Sequence, residues 1–241
     1  MCLILVAWQA HSDFPLIVAA NRDEFYARAS SPAGRWPEAP QVIGGRDLEA
    51  GGTWLGITDQ GRFAAITNVR EPGVPKGPQS RGGLPHQFLL GDMPAIDFVE
   101  NIDGSAYSGF NLIVSDGDTL CYRSNRDGAP RCLEPGIFAV SNHLLDTPWP
   151  KLVTAKRRFS AALAGQPATD AFFDILADDS IVPDEDLPKT GVALEWERLL
   201  SAVFVKSENY GTRASTVLLR GRDGALTFSE RRFGSGGVRL I

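Results

Sequence analysis

Cys2 stands directly behind Met1, and it opens an apolar run, Cys2-Leu-Ile-Leu-Val-Ala-Trp8, that reads as a buried strand. Cysteine is small enough that the initiator methionine is expected to be trimmed before it. The mature chain would then carry a thiol and a free α-amine on one residue. Their ordinary pKa values, about 8.5 and about 7.7–8.0, are close enough for the amine to accept the thiol proton near neutrality. A nucleophile with its own general base is equipped for acyl transfer. A small apolar residue at the start of a strand, buried and inert, is the competing reading for an isolated cysteine.

Other polar clusters decide between these two. Asn21-Arg22-Asp23-Glu24 closes a second apolar run, Pro15-Leu-Ile-Val-Ala-Ala20. If the two runs pair as a hairpin, this tetrad lies beside Cys2. Arg22 would then lower the thiol pKa, and Asp23 or Glu24 would orient the α-amine. Asn68 and Asn142 each end an apolar strand, where side-chain amides can donate to an oxyanion. The alternative for each is a turn-capping asparagine. Arg213 enters a late strand and would bind a carboxylate or phosphate, or pair with an acid at the sheet edge. Trp54 is core or cavity wall, and Trp8 and Trp149 are similar candidates. His143 reads as a structural neighbour of Asn142. Gly51-Gly-Thr-Trp-Leu-Gly56 is not a phosphate loop, because no Lys-Ser/Thr follows its glycines.

The elements that must position these residues are mostly strands. The first two runs are nearly continuous in apolar residues, as expected for strands covered on both faces. Strands at 53–58 and 62–67 flank an Asp59-Gln-Gly61 turn. Asp116-Gly117, Asp127-Gly128 and Asp223-Gly224 mark further hairpins. Helices are expected over 151–164, with Pro150 at its first position and Gly165 as its stop, and over 169–177, capped by Thr169 or Asp170. Shorter helices are expected at 84–90 and 95–101, and long loops at 72–85 and 183–191. No repeat or shift in composition divides the chain, so residues 1–241 are read as one domain. The expected fold is α+β: a four-layer αββα sandwich of two mainly antiparallel sheets, as in N-terminal nucleophile hydrolases.

Composition narrows the partners. The 241 residues are 43% hydrophobic, enough for a substantial core, and 22% charged. A net charge of −5 leaves no basic footprint for nucleic acid. No apolar run approaches the roughly 20 residues of a membrane span, and the first strand lacks a basic leader. Cys2, Cys121 and Cys132 are an odd set without a CxxC pair, and the three histidines are scattered. That speaks for a cytoplasmic location and against a metal site. The oligomeric state is not legible.

Met1-Cys2-Leu-Ile, Asn21-Arg-Asp-Glu24, Gly51-Gly-Thr-Trp-Leu-Gly56, Thr67-Asn68 with Arg70-Glu71, Ser80-Arg81-Gly82, Ser141-Asn-His-Leu-Leu-Asp-Thr-Pro-Trp-Pro150 and Gly211-Thr-Arg213 together resemble the NRDE-motif proteins. These form the transport and Golgi organisation protein 2 family, and the resemblance runs end to end. It implies a link to haem trafficking or to acyl-lipid and acyl-CoA metabolism. The chain also distantly resembles the choloylglycine hydrolase and penicillin V acylase group, which are N-terminal cysteine hydrolases. That resemblance matches Cys2 to the nucleophile, Asn142 to a later oxyanion asparagine and Arg213 to a late arginine. Their Arg-Asn-x-Asp segment aligns here either on Arg22 or on Asn21 with Asp23.

Two functions follow as expectations. In one, Cys2 attacks an acyl amide or thioester without metal or cofactor. Asp23 orients the amine, Arg22 supports the thiolate, and Asn142 with Asn68 stabilises the oxyanion; Asn21, Glu24, Trp54 and His143 complete the substrate-binding wall. In the other, a non-catalytic carrier holds haem or a lipid-like ligand in the same cleft.

Overall fold

The computed structural model describes residues 2–240. Strands β1 (Cys2–Trp8) and β2 (Leu16–Phe25) form the expected hairpin at the centre of a five-stranded antiparallel sheet. β10 (Gly136–Val140) flanks β1, while β11 (Tyr210–Arg220) and β12 (Leu226–Arg232) continue beyond β2. The second sheet is a seven-stranded meander of neighbours in chain order. It comprises β3 (Ser30–Trp36), β4 (Ala39–Asp47), β5 (Leu55–Thr58), β6 (Phe63–Asn68), β7 (Phe110–Ser115), β8 (Leu120–Ser124) and β9 (Arg131–Cys132).

Alternation along the strands builds three apolar layers. Ile4, Val6, Trp8 and Val18 face Ile57, Phe63, Ile113 and Tyr122 between the sheets. The intervening residues Leu3, Leu5, Ile17 and Ala19 face outward. They meet Leu152, Ala155 and Phe159 of α3 (Pro150–Ala162) and Phe172, Phe173 and Leu176 of α4 (Thr169–Leu176). On the far side, Ala64, Leu112 and Val114 pack under α1 (Gly83–Leu90) and α2 (Ala95–Glu100). The result is the αββα sandwich.

Four details depart from the sequence reading. β3 and β4 occupy a stretch whose Pro, Gly and Arg content hid its strands, and most of β3 is not fully buried. α5 (Leu194–Leu199) lies beyond the loop around 183–191. The N-cap of α4 is Ala168, with no side-chain cap, so neither Thr169 nor Asp170 plays that part. Cys121 and Cys132 are directly opposed across β8 and β9 with a Cα–Cα distance of 4.0 Å, and they form a disulfide. Sequence spacing gave no hint of it, because the loop joining the strands sets the register. No helix is long and apolar enough to cross a membrane among the described residues.

Candidate active site

The β1–β2 register sets Cys2 directly opposite Arg22. Strand alternation then divides the tetrad. Arg22 continues the face of Val18 and Ala20 toward the second sheet, while Asn21 and Asp23 continue the face of Ile17 and Ala19 toward the helices. The contacts follow that division. The Arg22 guanidinium lies 4.2 Å from the centre of the Trp54 ring and 3.9 Å from Asp47. Asn21 instead donates to the carbonyls of Leu176 (2.9 Å) and Val203 (2.8 Å) and accepts from Ser215 Oγ (2.6 Å). It ties the helix layer to the sheet and does not line the cavity.

That cavity, of about 360 Å³, opens beside the sulfur. Cys2, Arg22, Asp23, Glu24, Trp54 and Asn68 are all in its wall. Cys2 is half-buried and the free cysteine among the described residues. Burial pushes its thiol pKa up and the Asp23 charge adds to this; Arg22 and the Asp23 backbone N–H pull the other way without prevailing. The Arg22 charge favours the thiolate, yet burial outweighs it and leaves the thiol pKa above its ordinary value.

Asp23 is buried, and its carboxylate accepts from Thr212 Oγ1 at 2.7 Å. Burial raises its pKa; the Lys151 charge and the Thr212 hydrogen bond oppose that. Lys151 was not singled out from the sequence. Its Nζ is buried and donates to the carbonyls of Leu200 (2.7 Å) and Ala202 (3.4 Å). Burial lowers its pKa to about 8, with the Asp23 charge acting in the opposite direction. A cue was present: Lys151 shares the buried stripe of α3 with Ala155 and Phe159, an unusual place for an ammonium.

Asn142 is fully buried and gives both amide hydrogen bonds to Asn68, one to the backbone carbonyl (3.1 Å) and one to Oδ1 (3.0 Å). Ser141 Oγ joins this network, donating to the Cys2 carbonyl at 2.9 Å and lying 3.2 Å from Asn142 Oδ1. It is Asn68 that reaches the cavity wall. Glu24 also lines the cavity, accepting from the Phe25 amide at 2.9 Å and lying 3.8 Å from Arg28.

Arg213 and His143 lie elsewhere. A bulge between Thr212 and Ala214 turns Arg213 toward the backbone carbonyls of Phe25 and Arg28. His143 is exposed, with Nδ1 2.8 Å from Thr147 Oγ1 and its ring centre 5.9 Å from that of Trp149. Neither lines the Cys2 cavity. Met1, whose removal the chemistry would require, lies outside the described residues.

The sequence model of the family described as Transport and Golgi organisation 2 matches residues 1–235. The chain belongs to that family. It is 38% identical to the Bos taurus transport and Golgi organization protein 2 homolog, over 96% of this chain and 92% of the relative. The Homo sapiens homolog is 36% identical over the same shares. Among solved structures, the fold is similar to a Caenorhabditis elegans ortholog of N-acylethanolamine-hydrolyzing acid amidase. The TM-score is 0.55 at 14% identity, over 90% of this chain and 92% of that one. A mutant conjugated bile acid hydrolase from Clostridium perfringens gives a TM-score of 0.50 at 9% identity, over 100% and 99%. The family member described here thus has an N-terminal nucleophile hydrolase-like fold.

Proposed function

We propose that this protein is an N-terminal cysteine hydrolase for an acyl amide or thioester. The observation that carries the reading is the pairing of Cys2 with Arg22 at the mouth of β1 and β2, which sets a half-buried sulfur in the wall of a polar cavity. With Met1 removed, the α-amine of Cys2 takes the thiol proton that burial retains. The sulfur then attacks the carbonyl carbon, and the C=O electrons move to oxygen. Asn68, held in place by Asn142, donates to that oxyanion; one good donor of this kind lowers the barrier by about 3–4 kcal/mol. Collapse breaks the bond to the leaving amine or thiol, which departs with the proton held by the ammonium. Water, deprotonated by the same amine, releases the acid and restores Cys2. Asp23 orients the amine. The names of the two structural neighbours, an amidase and a conjugated bile acid hydrolase, lend the reading support by analogy of fold.

The carrier reading finds less support. Haem binding calls for an axial ligand within a largely apolar pocket. This cavity wall is rich in Arg, Lys, Asp and Glu, and Trp54 is the aromatic in it. Titration with haem is expected to give no Soret shift dependent on Cys2 or His143; a shift lost in Cys2→Ala or His143→Ala would restore that reading. Intact-mass analysis after exposure to N-acyl amides, thioesters and a β-lactam tests the hydrolase. An acyl adduct on Cys2, absent in Cys2→Ala, is expected. Unmodified protein across the panel would refute it.

A further inference from the structure

The charges around the cavity do not cancel one another locally. Arg28 is committed to Asp47 (2.8 Å) and Glu49 (3.2 Å), with Glu24 at 3.8 Å, and Arg22 is shared between Asp47 and the face of Trp54. Two further cations in the wall, Arg81 and Lys76, form no ion pair among the described residues. Arg81 is half-buried and uses one guanidinium nitrogen to donate to the Gly109 carbonyl at 3.0 Å. Glu71, a nearby acid, is itself occupied by Arg126 (2.7 Å) and by the Gly109 amide (2.7 Å). The strap that carries both cations is tied down: the Gly77 amide donates to Ser108 Oγ (2.9 Å) and the Gln79 amide to the Ala106 carbonyl (3.0 Å). Arg81 and Lys76 share the cavity wall with Cys2, which places both cations around the same space as the sulfur.

A partly desolvated guanidinium that forms no ion pair among the described residues, fixed at the rim of a cavity, is suited to a charge-assisted and bidentate contact with an anion. We propose that the compound bound here carries a carboxylate or phosphate, held by Arg81 with Lys76 beside it, while its acyl carbonyl faces Cys2. This rests on the Cys2 cavity being where the acyl compound sits, and it names the class of compound.

Binding to a Cys2→Ser protein separates this proposal from the hydrolase reading, because no turnover is needed. The probes are N-acetylglycine, its uncharged amide N-acetylglycinamide, and N-acetyl-O-phosphoethanolamine, each titrated calorimetrically. At least one anionic probe is expected to bind about tenfold or more tightly than the neutral amide, as a charge-assisted contact implies. The preference should weaken as salt rises, fall toward unity in Cys2→Ser/Arg81→Gln, and return in part in Cys2→Ser/Arg81→Lys. Which anion is preferred distinguishes a carboxylate from a phosphate. Equal binding of charged and neutral probes, no binding of any of them at millimolar concentration, or a preference that survives Arg81→Gln would overturn it. Should Arg81→Gln fail to fold, the lysine variant and the salt dependence of the parent still decide. An absent acyl-Cys2 adduct alongside a salt-sensitive anion preference would refute hydrolysis and leave the anion site standing.

Discussion

Lys151 joins chemistry to stability, because its buried ammonium lies within the electrostatic reach of Asp23 and holds two backbone carbonyls. Its folded pKa of about 8 lies below the ordinary lysine value of 10.5. Between those values the unfolded chain holds a proton that the folded chain has released, so this group makes stability rise with pH across that window. The urea midpoint of the wild type should therefore gain on that of Lys151→Met from pH 8 upward. The variant also orphans the carbonyls of Leu200 and Ala202, at a cost of about 1–3 kcal/mol. It removes a cation that opposes the burial-driven rise of the Asp23 pKa, so the acidic limb of any pH–rate profile should move to higher pH. A limb that stays put would mean that Asp23 plays no part in the rate. Of the residues singled out in the sequence, Cys2, Arg22, Asp23 and Glu24 do meet at one cavity, which a simple hairpin made legible. Arg213 was not placeable, because one bulge reverses where a strand residue points.

Among the elements, two packing joints hold the site in shape. Asn21 joins β2 to the end of α4 and to the 203 region through two donated bonds, and Asn21→Ala would leave those buried carbonyls unsatisfied. A loss of about 2–4 kcal/mol in unfolding free energy is expected by denaturant titration; a change under 0.5 kcal/mol would show the joint to be idle. The second joint is Gly45 of β4, where an added Cβ would collide with the indole of Trp54. Gly45→Ala should displace Trp54 from the Arg22 guanidinium, visible as a changed tryptophan emission that Trp54→Phe abolishes. The helices at 83–90, 95–100, 150–162 and 169–176 were legible within one or two residues, since apolar spacing and Pro150 mark them. β3 was not: Ser30-Ser-Pro-Ala-Gly-Arg-Trp36 has only Trp36 fully buried, so burial left little alternating pattern to read.

For the molecule as a whole, the layered sandwich was legible because apolar runs in β1 and β2 must be covered on both faces, by helices on one and a second sheet on the other. What the sequence concealed is how that burial acts on the nucleophile. Burial outweighs Arg22, so the Cys2 thiol titrates above its ordinary range. Alkylation of Cys2 by iodoacetamide in Met1-retaining protein should accordingly accelerate only at pH values above those of a free thiol; rates already at their plateau at pH 7 would indicate a thiolate and a different electrostatic balance. The most direct single measurement is the intact mass of the purified protein, with its N-terminal residue sequenced, before and after reaction with an acyl amide or thioester. An N-terminal cysteine that gains the mass of one acyl group, and loses it again on standing in water, is the expected result. Retained Met1, or a free N-terminal Cys2 that never takes up an acyl group, would contradict a hydrolase built on this sulfur.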